Sequence, residues 1–103
     1  MENSKIKVGD VILSVFRYSM TIPMFFKVIK RTAKTCTMVE LNKKVVQNLD
    51  GYGQRTREIP SEEPDGREKT YKIFSGARGE YVKVDGKISY VWDGKPAYAD
   101  YCD

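Results

Sequence analysis

The sequence predicts a mostly β protein: a small antiparallel, strongly bent sheet, or an SH3-like or OB-like barrel, of about five to seven strands with little helix. Three observations predict it. Short runs rich in β-branched and aromatic residues alternate between apolar and polar positions. Turn residues punctuate those runs closely, and four of the eight glycines (Gly51, Gly66, Gly86, Gly94) follow an aspartate. No segment sustains a helical period over three turns, which confines any helix to a turn or two near Tyr18 or Tyr98. The 103 residues, 41% hydrophobic, suit a single domain over 1–103 that can bury its own core.

The first strand is expected over Val8–Phe16. Gly9-Asp10 turns into it, and Val11, Leu13 and Val15 alternate with Ile12, Ser14 and Phe16. Tyr18–Pro23 reads as a connection, because Pro23 has no N–H to give to a ladder. A second strand follows over Phe25–Thr32, with Phe26, Val28 and Lys30 on one side and Phe25, Lys27 and Ile29 on the other. The short Ala33-Lys34 link makes a hairpin with Thr35–Leu41, and Asn42-Lys43-Lys44 turns into a brief Val45–Gln47 strand.

Residues 49–69 then read as a polar loop, cut by Asp50-Gly51, Pro60, Pro64 and Asp65-Gly66. A loop of that length in a small domain is a natural place for a partner to bind. Thr70–Phe74 is a short aromatic strand that Ser75–Gly79 breaks. Tyr81–Val84 and Lys87–Trp92 flank Asp85-Gly86, a strong hairpin signal that sets Tyr81 opposite Tyr90. Trp92 is expected in the core or as a lid on the last strand. Cys36 is expected to be a small buried hydrophobe, and Cys102 an exposed thiol.

The net charge of +4 is unevenly divided: residues 1–57 carry +7 and residues 58–103 carry −3. The basic half gathers Lys27, Lys30, Arg31 and Lys34, then Lys43 and Lys44, then Arg55 and Arg57. Glu58, Glu62, Glu63 and Asp65 are the densest acidic stretch. Such polarity steers association with oppositely charged surfaces.

The chemistry open to the chain is narrow. It has no histidine, which removes the usual partner of a nucleophilic Ser or Cys and the commonest metal ligand. Two cysteines 66 positions apart form no zinc motif, and no glycine turn matches a phosphate-cradling loop. The expectation is a protein that is not an enzyme and uses neither cofactor nor metal. Binding is better supported. Basic residues among aromatics suit single-stranded nucleic acid, with Lys27, Lys30, Arg31, Lys34, Arg55 and Arg57 for phosphates or an acidic partner. Phe25, Tyr52 and Tyr71 are the candidate stacking platforms. Tyr52, Glu62, Glu63, Tyr98 and Tyr101 suit a protein partner instead, because carboxylates beside the tail tyrosines repel phosphate.

The string Val8-Gly9-Asp10-Val11-Ile12-Leu13-Ser14, continued through Tyr18, Thr21 and Phe25-Phe26-Lys27-Val28, resembles small phage and mobile-element proteins of Firmicutes. Trp92-Asp93-Gly94-Lys95-Pro96, with Tyr98 and Asp100, is similar to the tail of that family. This chain departs from the pattern with Phe16 for Trp, Arg17 for Gly and Phe26 for Tyr. The resemblance implies an accessory role: binding a host protein or nucleoprotein complex, for example as an inhibitor of a defence complex such as a CRISPR effector. A nucleic-acid-binding barrel is the alternative. Met1–Lys5 leads into no hydrophobic signal core, and no apolar run is long enough for a membrane helix. The expected setting is the cytoplasm of a bacterial host cell, as a monomer or small homo-oligomer without membrane contact.

Overall fold

The computed structural model describes residues 5–17, 20–51 and 54–101, and over these the chain is all β. Nine strands follow in order: β1 (Val11–Arg17), β2 (Thr21–Arg31), β3 (Thr35–Asn48), β4 (Arg55–Pro64), β5 (Lys69–Lys72), β6 (Phe74–Gly76), β7 (Gly79–Val84), β8 (Lys87–Val91) and β9 (Ala97–Asp100). All pairings are antiparallel, in the order β5-β3-β4-β9-β2-β1-β8-β7-β6, with β2 also paired to β3. The β3–β2–β1–β8–β7 run, with β5 beside β3, curls until β5 lies against β7 and closes a small barrel.

Alternation along the strands fills that barrel. Ile12, Phe26, Val28, Cys36, Met38, Val82 and Val84 point inward with Ile6, and all are buried. Cys36 is thus the buried hydrophobe expected of it, while Cys102 lies outside the described residues. A second buried set lies on the opposite side of β2 and β3, with Pro23, Phe25, Leu41 and Ala99. It exists because β3 outruns the barrel. Its far half pairs with β4, β4 pairs with β9, and β9 returns to β2 at Thr21↔Asp100. Strand β2 is therefore covered on both faces around Phe25 and Phe26. That explains why Met24-Phe25-Phe26 is a continuous apolar run rather than an alternation.

Four expectations need correction. Residues 49–69 are not one long loop, since Arg55–Pro64 forms β4 against the far half of β3. Asn42-Lys43-Lys44 is not a turn; β3 runs through it, with Lys43 opposite Pro60 and Lys44 opposite Ile59. Pro23 stands inside β2 opposite Val15. It sits between the β9 pairing at Thr21 and the β3 pairing that starts at Phe25, so its missing N–H costs no ladder bond on that side. Tyr98 lies in β9, and no helix forms among the described residues. The added strands raise the number among the described residues above the five to seven expected.

The Asp85-Gly86 hairpin matches its reading. Asp85 has φ 50° and Gly86 φ 78°, the left-handed pair that a two-residue turn between twisted strands requires. Lys83↔Ile88 fixes a register in which Tyr81 meets Tyr90, with ring centroids 5.7 Å apart.

Candidate functional site

The predicted cationic cluster does not form one surface. Lys27 and Lys30 are exposed on β2, opposite Val39 and Thr37, and Lys34 is exposed in the β2–β3 turn. Arg55 and Arg57 lie away from them on β4, where Arg57 faces Gln47 and Tyr98 and Arg55 approaches Asp100 at 3.8 Å. Among the described residues no aromatic ring lies beneath Lys27, Lys30 or Lys34. Two of the three expected platforms are placed elsewhere. Phe25 is fully buried, and Tyr71 is half-buried against Phe26. Tyr52 lies outside the described residues.

Arg31 holds the fold rather than facing a ligand. Its guanidinium forms a forked pair with Glu80 on β7, at 2.6 and 3.0 Å, and also donates to the Ile6 carbonyl. The Ile6 N–H donates to the same carboxylate at 2.8 Å, so the pair fastens the incoming chain across the end of the barrel. The Arg31 guanidinium holds the Glu80 carboxyl below its usual range, and partial burial opposes this. A depressed carboxyl contributes stability above its unfolded value, about 4.3, and loses it as pH falls through the lower folded value. Glu80→Gln is expected to lower the melting temperature at pH 7, at a loss of about 1–2 kcal/mol given the partial exposure of both partners. The gap to wild type should narrow on acidification below about pH 4. Melting curves across that range check it, and a gap independent of pH would remove Glu80 as its source.

The protein-facing candidates also divide. Glu62 and Glu63 are exposed at the end of β4, beside Lys43 and Lys44 in a shallow hollow. Tyr98 is exposed opposite Arg57. Tyr101 turns inward: its hydroxyl lies 2.9 and 2.8 Å from the two oxygens of the buried Glu58 carboxylate and donates to it.

The structure instead assembles an aromatic and cationic surface on the outer face of β6, β7 and β8. Val82 and Val84 point into the core, so Tyr81 and Lys83 between and before them point out. Tyr90 meets Tyr81 from β8. On the other side, the Gly76–Gly79 turn folds β6 back so that Phe74 pairs with Tyr81. Phe74 and Tyr81 lie 5.5 Å apart and nearly parallel, at 16°. The three rings make a row running across the strands.

Cations sit over both ends of the row. Lys83 and Lys72 lie 4.9 and 5.4 Å from the Phe74 centroid, and the Arg78 guanidinium lies 4.7 Å from that of Tyr90. Past Tyr90 the surface opens into a groove of about 770 Å³ between β1 and β8. Leu13, Val15 and Ile88 contribute its aliphatic wall and Arg17, Arg78 and Lys87 its charge, and among the described residues Asp93 is the one acid that lines it. Trp92 lines the groove too, edge-on to Phe25 at 5.4 Å and donating its indole N–H to the Lys95 carbonyl at 2.7 Å.

Half of this surface was visible in the sequence, through the Tyr81–Tyr90 pairing. The signal for the other half was the Gly76–Gly79 spacing, which is a hairpin and not a break. Comparison with protein-family models, with curated proteins and with solved structures finds no match for this chain.

Proposed function

We propose that this chain is a non-catalytic binding protein whose β6–β7–β8 face engages single-stranded nucleic acid. The Phe74–Tyr81–Tyr90 row carries the reading: three rings on neighbouring strands, spaced 5.5 and 5.7 Å, with Lys72, Lys83 and Arg78 at its ends. Bases stack on such rings without regard to sequence, at about 1–3 kcal/mol each, while the cations meet phosphates. The cations now resting over Phe74 and Tyr90 swing aside to the backbone as bases take the ring faces. The face suits a single strand rather than a duplex, whose bases are stacked on one another and present no free face.

Fluorescence anisotropy with a labelled ten-nucleotide DNA or RNA tests the reading. Tyr81→Ala is expected to weaken binding about tenfold, one stacked base at the lower part of that range. Binding should fall steeply as salt rises, because phosphate contacts release counterions. The Lys27→Glu/Lys30→Glu double variant, on β2, should leave affinity within about a factor of two after allowing for its added negative charge. Binding unmoved by Tyr81→Ala, or abolished only by the β2 variant, would overturn this site.

A protein partner is the second reading, and the aliphatic wall of the groove favours it. Ile88 is 54% exposed, and with Leu13 and Val15 it offers a phosphate backbone nothing. On that reading the chain is an accessory factor of a phage or mobile element, acting in the bacterial cytoplasm on a host defence complex such as a CRISPR effector. Pull-down from host lysate separates the two. A discrete protein retained after nuclease and at high salt favours the accessory factor, whereas recovery lost to either favours nucleic acid.

A further inference from the structure

The barrel also has an interior hollow at one mouth, apart from the ring row on the outer side of β7. It is a cavity of about 330 Å³. Its floor is apolar: Phe26, Met38 and Val84 are core residues, and Met24 and Tyr71 pack against them. Its rim carries three carboxylates, Glu40 on β3, Asp65 after β4, and Asp85 in the β7–β8 turn. Arg67 and Lys69 line it as well. The Asp65 N–H donates to the Glu40 carbonyl at 2.6 Å, so the β4–β5 link is pinned across the opening and brings those two acids together.

Charge is unbalanced at this mouth. The ion pairs among the described residues are Arg31–Glu80, Lys43–Glu58 and Arg55–Asp100, and none belongs to the rim. Arg67 and Lys69 are exposed, as are Asp65 and Asp85, and Lys43 and Lys69 offset part of the negative charge at Glu40, so the lining holds three acids against two bases. Burial, and then the neighbouring Asp65, push the Glu40 carboxyl above its usual range, and burial with Asp85 and Glu40 does the same to the Tyr71 hydroxyl. An incoming cation relieves both.

We propose that the barrel mouth is a binding site for a small organic cation, an ammonium group carried on an aromatic body. A closed apolar cavity of about 150 Å³ already takes benzene, so a ring with a short chain fits here. The Met24 thioether and the Tyr71 ring receive the body, over the buried Met38 and Phe26. Glu40, Asp65 and Asp85 receive the ammonium. Barrel mouths are a common place for a small-molecule site.

Phenethylamine, protonated at neutral pH, is the probe, with 3-phenylpropanoate as its anionic counterpart. The chain has four methionines, and two of them, Met24 and Met38, line the cavity. Their ¹³C-methyl NMR signals report occupancy directly, and Met20 serves as the control. The amine should shift Met24 and Met38 saturably, at least about tenfold more tightly than the carboxylate. Asp85→Asn and Glu40→Gln should each weaken the amine about threefold or more. Asparagine tolerates the left-handed backbone at position 85, so that variant keeps the fold. Equal affinity for the two probes, no Met24 or Met38 shift up to about 10 mM amine, or shifts confined to Met20 would each overturn the site.

Discussion

Phe25→Ala is expected to destabilise the chain by about 3–5 kcal/mol, a large fraction of what a domain this size has. Phe25 is fully buried, on the side of β2 that faces away from the barrel interior. Leu13 on β1 and Leu41 on β3 are its cross-strand neighbours, and Trp92 packs edge-on against it. Truncation removes the ring from water-free surroundings and leaves a cavity beside β2 and the two strands paired to it, which cannot collapse freely. Phe16, 38% exposed at the end of β1, provides the contrast, with an expected loss of about 1 kcal/mol on truncation. Urea titrations of both variants measure the difference. Because Trp92 is the lone tryptophan, its emission should also shift to the red in Phe25→Ala. A loss no greater than that of Phe16→Ala would mean that the second buried layer is loosely closed and contributes little.

What could be read from the sequence was what local chemistry decides. Asp85-Gly86 fixed a turn, a register and the Tyr81–Tyr90 pair, because two left-handed residues between twisted strands leave few other options. The all-β character followed from the same kind of evidence. What could not be read depended on partners far along the chain. Arg31 looked like one of four free cations, since nothing near it indicates that Glu80, 49 positions on, takes its charge. Phe25 looked like a surface platform because Lys27 shares its side of the strand, yet the β3–β4–β9 extension covers the position of the phenylalanine and stops short of the lysine. The acidic balance of residues 58–103 likewise hid a basic face. Glu58 and Glu80 are used inside the fold, which leaves Lys72, Arg78 and Lys83 around the rings on the outer side of β6–β8.

Glu58 is also the reason β4 resembled a loop, and its removal is the second large expected effect. Thr56 and Glu58 are the inward positions of β4, and both are polar, so no apolar alternation marks the strand. The carboxylate, 2% exposed, is held by what surrounds it. The Thr56 hydroxyl donates to it at 2.8 Å, the Tyr101 hydroxyl donates to it, and the Lys43 ammonium lies 3.6 Å away while donating to the Tyr101 oxygen at 3.0 Å. These contacts tie β3, β4 and the residue after β9 together where the extension closes. Burial pushes the Tyr101 hydroxyl above the ordinary tyrosine range, and the nearby Lys43 pulls the other way. Glu58→Ala removes the acceptor of the buried Thr56 hydroxyl and of the part-buried Tyr101 hydroxyl at once, so a loss of about 3 kcal/mol is expected. Lys43→Met should cost under about 1 kcal/mol, because that side chain is a quarter exposed and its charge lies beyond hydrogen-bond distance of the carboxylate. Denaturant titrations of both variants at neutral pH decide the matter. The expected inequality identifies Glu58 as an acceptor for hydroxyls, whereas equal losses would make the charge pair the anchor of the extension.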